Sequence, residues 1–250
     1  MRRLAHAREL LDGPLSDAAA LEANLRDLRR INRRFGGADL SLRALRALVR
    51  DVSKQDPDPL RVLDVGTGAA DIPLAFATAR GPWRSIEVTA IDSRPEVLDA
   101  ARRLEPTLAG RPDISLRVAD GRSLPFADGE LDVAHASLVL HHLDPDEAAW
   151  FLRECGRVAR LGVVVNDLQR GAIHWLGAWL VLHVMTRNRF TLHDGPLSVR
   201  RAYTRAEARK LLVGAGFRPV AEVGGLAGHR WAIAATRVGA PAPGVPETSR

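Results

Sequence analysis

The sequence holds one cysteine, one tyrosine and two methionines in 250 residues. Lys54 and Lys210 are its only lysines, so nearly all of its 36 basic residues are arginine. A lone Cys155 excludes an internal disulfide, and no Cys/His spacing of a zinc site is present. Cys155 lies among core-type residues and reads as a small buried hydrophobe. No apolar run reaches the roughly 18–20 residues that cross a bilayer. The opening MRRLAHARELLDG lacks the apolar centre of a signal peptide, which points to a cytoplasmic protein. The net charge is +6. Its source is arginine in a chain rich in alanine and leucine, a composition that GC-rich coding produces. No basic strand with interleaved aromatics occurs, so no nucleic-acid partner is expected.

What is present is apolar content of 46%, enough at this length for one sizeable core and an added segment. The stretch that organises it is Leu60–Asp71, LRVLDVGTGAAD. Leu60, Val62, Leu63 and Val65 form the apolar run of a buried parallel strand. Asp64, Gly66 and Gly68 follow at its end. Two glycines two apart permit a sharp turn and close approach of a ligand to the backbone. Ala69 to Ala79 then reads as a helix whose first N–H groups are free. A second strand, Ile86–Ile91, ends in Asp92, where an open α/β sheet takes the two hydroxyls of a ribose. Asp92 also has the placement of an N-cap, and the two roles are compatible. The third glycine of a dinucleotide fingerprint is missing, because Ala70 follows Ala69. Asp64 would repel a pyrophosphate and attract an amino group. The expected ligand is therefore S-adenosyl-L-methionine rather than a dinucleotide.

Three segments carry a resemblance: VLDVGTGAAD, VTAIDSRPEVLDAAR and RVADGRSLPFADGELDVAHASLVLHHL. In this order they are similar to the class I S-adenosylmethionine-dependent methyltransferases, over roughly Leu60 to Asp167, with a family-like ending to about Arg237. The resemblance implies an α/β fold. Its doubly wound, Rossmann-like sheet would have seven strands with the last antiparallel, N-terminal helices, and a lid insertion after strand five. It divides the chain into a helical cap at 1–59, a methyltransferase domain at 60–237 with its lid at 170–200, and a Pro/Gly tail at 238–250 expected to be disordered. It implies a cofactor set of Asp64, Gly66, Gly68, Asp71, Asp92, Ser93, Asp120, Gly121, Ala136 and Ser137. In that set Asp71 helps hold the methionine end and Asp92 takes the ribose. Asp120 accepts from the adenine amino group, and Gly121 lets the ring lie close. Ala136 and Ser137 lie beside the methionine, mostly through backbone.

The N-terminal part reads as helices. Leu4–Leu11 is a short piece closed by Asp12-Gly13-Pro14. Ser16 is the candidate cap of a helix to about Arg33 with Leu21, Leu25, Leu28 and Ile31 on one face. Gly36-Gly37 breaks it, and Leu40–Val52 follows. The cluster RRINRR has two readings, a solvated helix end or a reach toward a ligand carboxylate.

Acceptor chemistry points to His141, His142 and His193. An imidazole with pKa near ~6.5 can take a proton from an acceptor at neutral pH. The LHHL sequence also has a packing reading. After strands four and five, where some O-methyltransferases hold a divalent metal, the chain offers His135, Ala136 and Ser137, then Asn166 and Asp167. One carboxylate and one amide make a poor hard-cation site, so no metal is expected. Ala172–Met185 is apolar nearly all round and too short to span a membrane. Such a helix is buried, or meets lipid or an apolar ligand. It reads as lid and acceptor wall, or as a dimer or transient membrane contact. The TRNRFTLHDGPLSVRRAYT stretch after it reads as irregular, with His193, Asp194, Arg200 and Arg201 as pocket candidates. The expected reaction is O-methylation of a small hydrophobic acceptor, phenolic or polyketide. C-methylation of a quinone-type ring is the rival. RNA methylation would need an RNA-binding addition that is not seen, and a non-catalytic binding protein would give no cofactor heat.

Overall fold

A computed structural model describes residues 1–13, 17–52 and 58–238. The expected cap at Ser16, and all but the first residue of the expected tail, lie outside the described residues. Helix α1 (Ala18–Phe35) begins at Asp17, whose carboxylate accepts the Ala20 N–H at 2.9 Å. It ends at Gly36, where φ is +72°, a value only glycine adopts without strain. Helix α2 (Gly37–Val52) follows directly.

The sheet is built from β1 (Leu60–Val65), β2 (Ile86–Asp92), β3 (Ile114–Val118), β4 (Leu131–Ser137), β5 (Ala159–Leu168), β6 (Phe217–Gly224) and β7 (Arg230–Arg237). Helices α3 (Asp71–Thr78), α4 (Pro95–Leu104), α5 (Pro145–Val158) and α8 (Arg205–Gly214) connect them. The strand order is β3-β2-β1-β4-β5-β7-β6, and only β7 runs antiparallel to its neighbours. The seven-stranded doubly wound sheet expected from the sequence is therefore what forms. β4 is buried from Leu131 to Ala136, as a strand covered on both faces must be. One face packs Leu63, Val65 and Trp231 against Phe151 and Leu152 of α5 and Leu212 of α8. The other packs Val62, Val133 and Ala234 against Leu45 and Leu48 of α2 and Phe76 of α3. The order reverses between β1 and β4, which opens a crevice at their carboxyl ends. Leu21 and Leu25 bring α1 over it by packing on Ala69, Val97 and Ala100.

Between β5 and α8 lie helices α6 (Ala172–Met185) and α7 (Arg189–Arg201). The α7 helix corrects the irregular segment expected there. Gly195 and Pro196 argue against a helix in sequence. Its start is fixed by Asn188, whose side-chain oxygen accepts the N–H groups of Phe190 and Thr191 at 2.9 and 3.3 Å. Gly195 is the close point of α6 on α7, where a Cβ would overlap Leu182 Cδ1. Leu182 is the buried residue of α6; Ile173 and Val184 are each 85% exposed. No helix among the described residues is long and apolar enough to cross a membrane.

The N-terminal piece is also corrected. Residues 1–9 are an extended strap rather than a helix, closed by one 3-10 turn at Leu10–Asp12. The Leu4 N–H donates to Arg200 O at 3.0 Å, and the Arg3 guanidinium donates to Leu143 O at 2.7 Å. Those partners are too distant in sequence for periodicity to reveal.

Candidate active site

The glycine turn leaves β1 with Gly66 at φ +70° and Gly68 at +55°. A Cβ on Gly66 would meet Val139 Cγ2 at 2.6 Å, so both dihedral and space demand glycine. Ala70 takes φ +55° in place of the absent third glycine. Asp92, at the tip of β2, is drawn to this turn. Its carboxylate accepts the Gly68 N–H at 3.3 Å and the Arg94 N–H at 3.1 Å. Burial pushes its carboxyl pKa up, the two N–H groups oppose that, and the charge of Asp64 adds to it. The N-cap of α4 is Arg94, not Asp92.

Asp71 opens α3 and accepts from Asn32 Nδ2 at 3.0 Å. Burial raises its pKa, again with help from the charge of Asp64. Within RRINRR it is thus Asn32, not an arginine, that enters the crevice. Asp64 is 2% exposed, and its Oδ1 accepts from His135 Nδ1 at 2.5 Å. His135 Nε2 in turn meets Ser41 Oγ at 2.8 Å. The expected contact of Asp64 with a ligand ammonium therefore narrows to its second oxygen and to the field it casts on Asp71 and Asp92. Three carboxylates in one crevice, two of them held above their usual range, fit a group carrying both a cation and a diol. The amino-acid and ribose ends of S-adenosylmethionine are such a group.

The adenine end is less prepared. Asp120 is exposed and gripped by Arg122 at 2.8 Å, which holds its carboxyl below the usual range. Gly121 is needed for packing: a Cβ would meet Val65 Cγ1 at 2.7 Å and Phe151 Cε2 at 3.2 Å. Ser93 is exposed and Ala136 is buried. Ser137 Oγ accepts from Arg230 Nη2 at 3.0 Å. Arg230, which the sequence did not single out, is 2% exposed and also donates to Asn32 Oδ1 at 2.7 Å. Burial lowers its pKa to about 10 against the pull of Asp167 and Asp71.

Beside the crevice is a cavity of about 390 Å³ between α1, α6, α7 and the 3-10 turn Leu140–His142. Its lining is mainly apolar, with Leu28, Ile31, Phe35 and Val181 among the walls. Three buried polar atoms on lining residues have no partner among the described residues: Asn24 Oδ1, His174 Nδ1 and His229 Nε2. In an apolar cavity, unpaired atoms of this kind are open to the polar groups of a ligand or to water.

His141 and His142 both line the cavity. His141 is buried, with ring Nδ1 on Asp167 Oδ1 at 2.8 Å and its backbone N–H on Asp167 Oδ2 at 3.0 Å. Burial works against the Asp167 charge, but His141 and nearby N–H groups outweigh it and hold the carboxyl below its usual range. His142 Nδ1 meets Asp12 Oδ1 at 3.1 Å. Glu9, from the N-terminal strap, lies 3.7 Å from His141 Nε2 and from His142 Nε2. Burial pushes the Glu9 carboxyl up, with His142, Ser198 and Arg201 opposing. His193 is the exception among the three candidate histidines. It is half exposed, outside the cavity lining, and paired with Asp194 at 2.7 Å. Asp194 itself is occupied by the N–H groups of Leu10 and Leu11.

A parallel sheet closed by one antiparallel strand, with an acidic crevice at its switch point, is the fold of the class I S-adenosylmethionine-dependent methyltransferases. Residues 62–162 match the family model described as a methyltransferase domain. A malonyl-[acyl-carrier protein] O-methyltransferase of Laribacter hongkongensis is 34% identical over 110 residues, 41% of this chain and 35% of its own. An uncharacterized 37.1 kDa protein in transposon TN4556 of Streptomyces fradiae is 32% identical over 151 residues, 60% of this chain and 37% of its own. The chain thus spans little more than a third of these relatives. A SAM-dependent methyltransferase from Aquifex aeolicus superposes with a TM-score of 0.59 at 19% identity, covering 87% of this chain and 98% of that one.

Proposed function

We propose that this protein transfers the methyl group of S-adenosylmethionine to an oxygen of a small, apolar, hydroxyl-bearing acceptor. The observation that carries the proposal is the cavity that adjoins the crevice and is lined by His141, backed by Asp167. When bound, the cofactor supplies a methyl activated by sulfonium. In this reading Asp92 takes the ribose hydroxyls, with Ser93 beside it. Asp71 and Asp64 face the ammonium, and Gly66 and Gly68 leave room for the chain of the ligand. Asp120 and Gly121 border the adenine, and Ala136 and Ser137 the methionine. Glu9, Leu11 and helix α1 from the 1–59 segment, with residues of the 170–200 lid, wall the cavity beside the rest of the 60–237 domain. His141 Nε2 accepts the acceptor's proton, and Asp167 fixes the ring with its lone pair toward the cavity. Apolar walls hold the acceptor in place and keep water from competing. Asn24 Oδ1 can only accept a hydrogen bond, so with the unpaired His174 and His229 atoms it favours an acceptor that carries more than one hydroxyl, as polyphenols and hydroxylated polyketides do.

The test is incubation with S-adenosylmethionine and a panel of phenols, hydroxyquinones and aliphatic alcohols, with products read by mass and NMR. An O-methyl product, lost about 10²–10⁴-fold in His141→Ala, is expected. A methyl on a ring carbon would move the assignment to C-methylation. Full turnover in both His141→Ala and His142→Ala would remove proton transfer from this cluster.

A further inference from the structure

We propose that Glu9, His141 and His142 form a binding site for one divalent first-row transition ion, with its open coordination position facing the acceptor cavity. His141 Nε2 to Glu9 Oε1 and His142 Nε2 to Glu9 Oε2 are both 3.7 Å, and all the ligating atoms lie within 4.8 Å of one another. These separations are too long for hydrogen bonds. They are near the roughly 3.3 Å edge of a tetrahedron with bonds of about 2.0 Å, the zinc–imidazole length.

The hydrogen on each ring supports the same assignment. His141 Nδ1 is held by Asp167 at 2.8 Å and His142 Nδ1 by Asp12 at 3.1 Å. A carboxylate partner assigns the ring proton to Nδ1. Both Nε2 atoms then present lone pairs, and both point at a buried carboxylate. Three acceptors converge, an arrangement that a cation resolves. Carboxylates behind ligating imidazoles are the usual means of fixing them for a metal. The remaining neighbours of Glu9 are Ser198, whose hydroxyl donates at 2.9 Å, and Arg201 at 3.4 Å; Arg201 also binds Asp12 at 2.9 Å. Neither donates to an imidazole Nε2 of the pair: Ser198 gives its proton to Glu9, and Arg201 Nη2 binds the His142 carbonyl. Two imidazoles and one carboxylate suit zinc, iron, cobalt or manganese rather than magnesium or calcium.

The site adds to the proposed function and rests on it for the ion's role. An acceptor hydroxyl bound at the open position becomes more acidic. Its proton then leaves to solvent; with the ion bound His141 Nε2 is a ligand, and its role as base applies to the metal-free chain. The carboxylate is 132 residues from the first histidine, so no ligand spacing appears in the sequence. The site is separate from the pair Asn166 and Asp167, whose residue types are unsuited to a hard cation.

The experiment is calorimetric titration of the metal-stripped full chain with Zn²⁺, and absorption spectra with Co²⁺, each repeated on Glu9→Gln, His142→Gln and Asp12→Asn. Adenosylhomocysteine binding serves as the control for folding. One ion per chain is expected, with affinity falling at least about tenfold in each variant while adenosylhomocysteine still binds. Should one variant fail to fold, Asp12→Asn, on a partly exposed side chain, carries the comparison. No saturable uptake of Zn²⁺, or uptake unchanged in the variants, overturns the proposal. Methyl transfer that persists at full rate in the metal-free chain overturns it while leaving the function intact. Zinc bound as described with no methyl transfer to any acceptor leaves the site standing and removes the function.

Discussion

Replacing Asp167 by Asn removes a charge and almost no volume, but it halves the number of acceptor oxygens. Oδ1 accepts the His141 ring N–H at 2.8 Å and the Leu168 N–H at 2.7 Å; Oδ2 accepts the His141 backbone N–H at 3.0 Å. An amide has one acceptor oxygen. If that oxygen takes the ring, its NH₂ faces the backbone N–H of His141 in a buried site. A buried donor left unpaired there costs about 1–3 kcal/mol. If instead the oxygen takes the backbone, the NH₂ faces the ring and forces the proton onto Nε2, the atom that must accept one. The rate then falls about 10²–10⁴-fold. Urea unfolding reads the first outcome, and turnover on the identified acceptor reads the second. The ring ¹⁵N shifts of His141 report the tautomer. Wild-type turnover together with an unchanged unfolding midpoint would refute this account, because the two orientations leave no neutral option.

The crevice and the lid supply two more predictions. Burial lifts the carboxyl groups of Asp71 and Asp92 above their usual values. A carboxyl raised in the folded state favours folding below its unfolded pKa, and that contribution is lost as pH rises through the raised value. The ligand-free protein should therefore lose melting temperature across that window, while adenosylhomocysteine affinity rises in it as the carboxylates ionise. Affinity that is flat with pH would contradict both assignments. Gly195→Ala drives a methyl into Leu182 Cδ1 and should cost about 1–3 kcal/mol by overpacking, with faster hydrogen exchange in α6. A silent substitution would mean that the two helices do not meet there.

The sheet was legible because its signals are local. Apolar runs at Leu60 and Leu131, glycines at positive φ and an acid at the tip of β2 each declare themselves within a few residues. The antiparallel β7 followed from family resemblance, not from any pattern in Arg230–Arg237. The acceptor side was legible only in part. His141 and His142 stand out by type, but Glu9, Arg230 and the Asp167 bond join them across the chain, and no periodicity encodes such partners. Asp64 was identified by position while its pairing with His135 was not, because the two meet only through β1–β4 register. Helix α7 was missed because Gly195 and Pro196 are local breakers whose cost is offset by packing on α6 and by the Asn188 cap.

The first thirteen residues are tied into the rest of the molecule by hydrogen bonds. Arg94, whose backbone binds Asp92, also clasps the carbonyls of Leu11 and Gly13 at 2.7 and 2.8 Å. The same short ribbon supplies Glu9 and Asp12 to the two histidines. Trimming it to tidy the molecule would strip flooring from both chambers at once. The cost would register in catalysis as well as in folding.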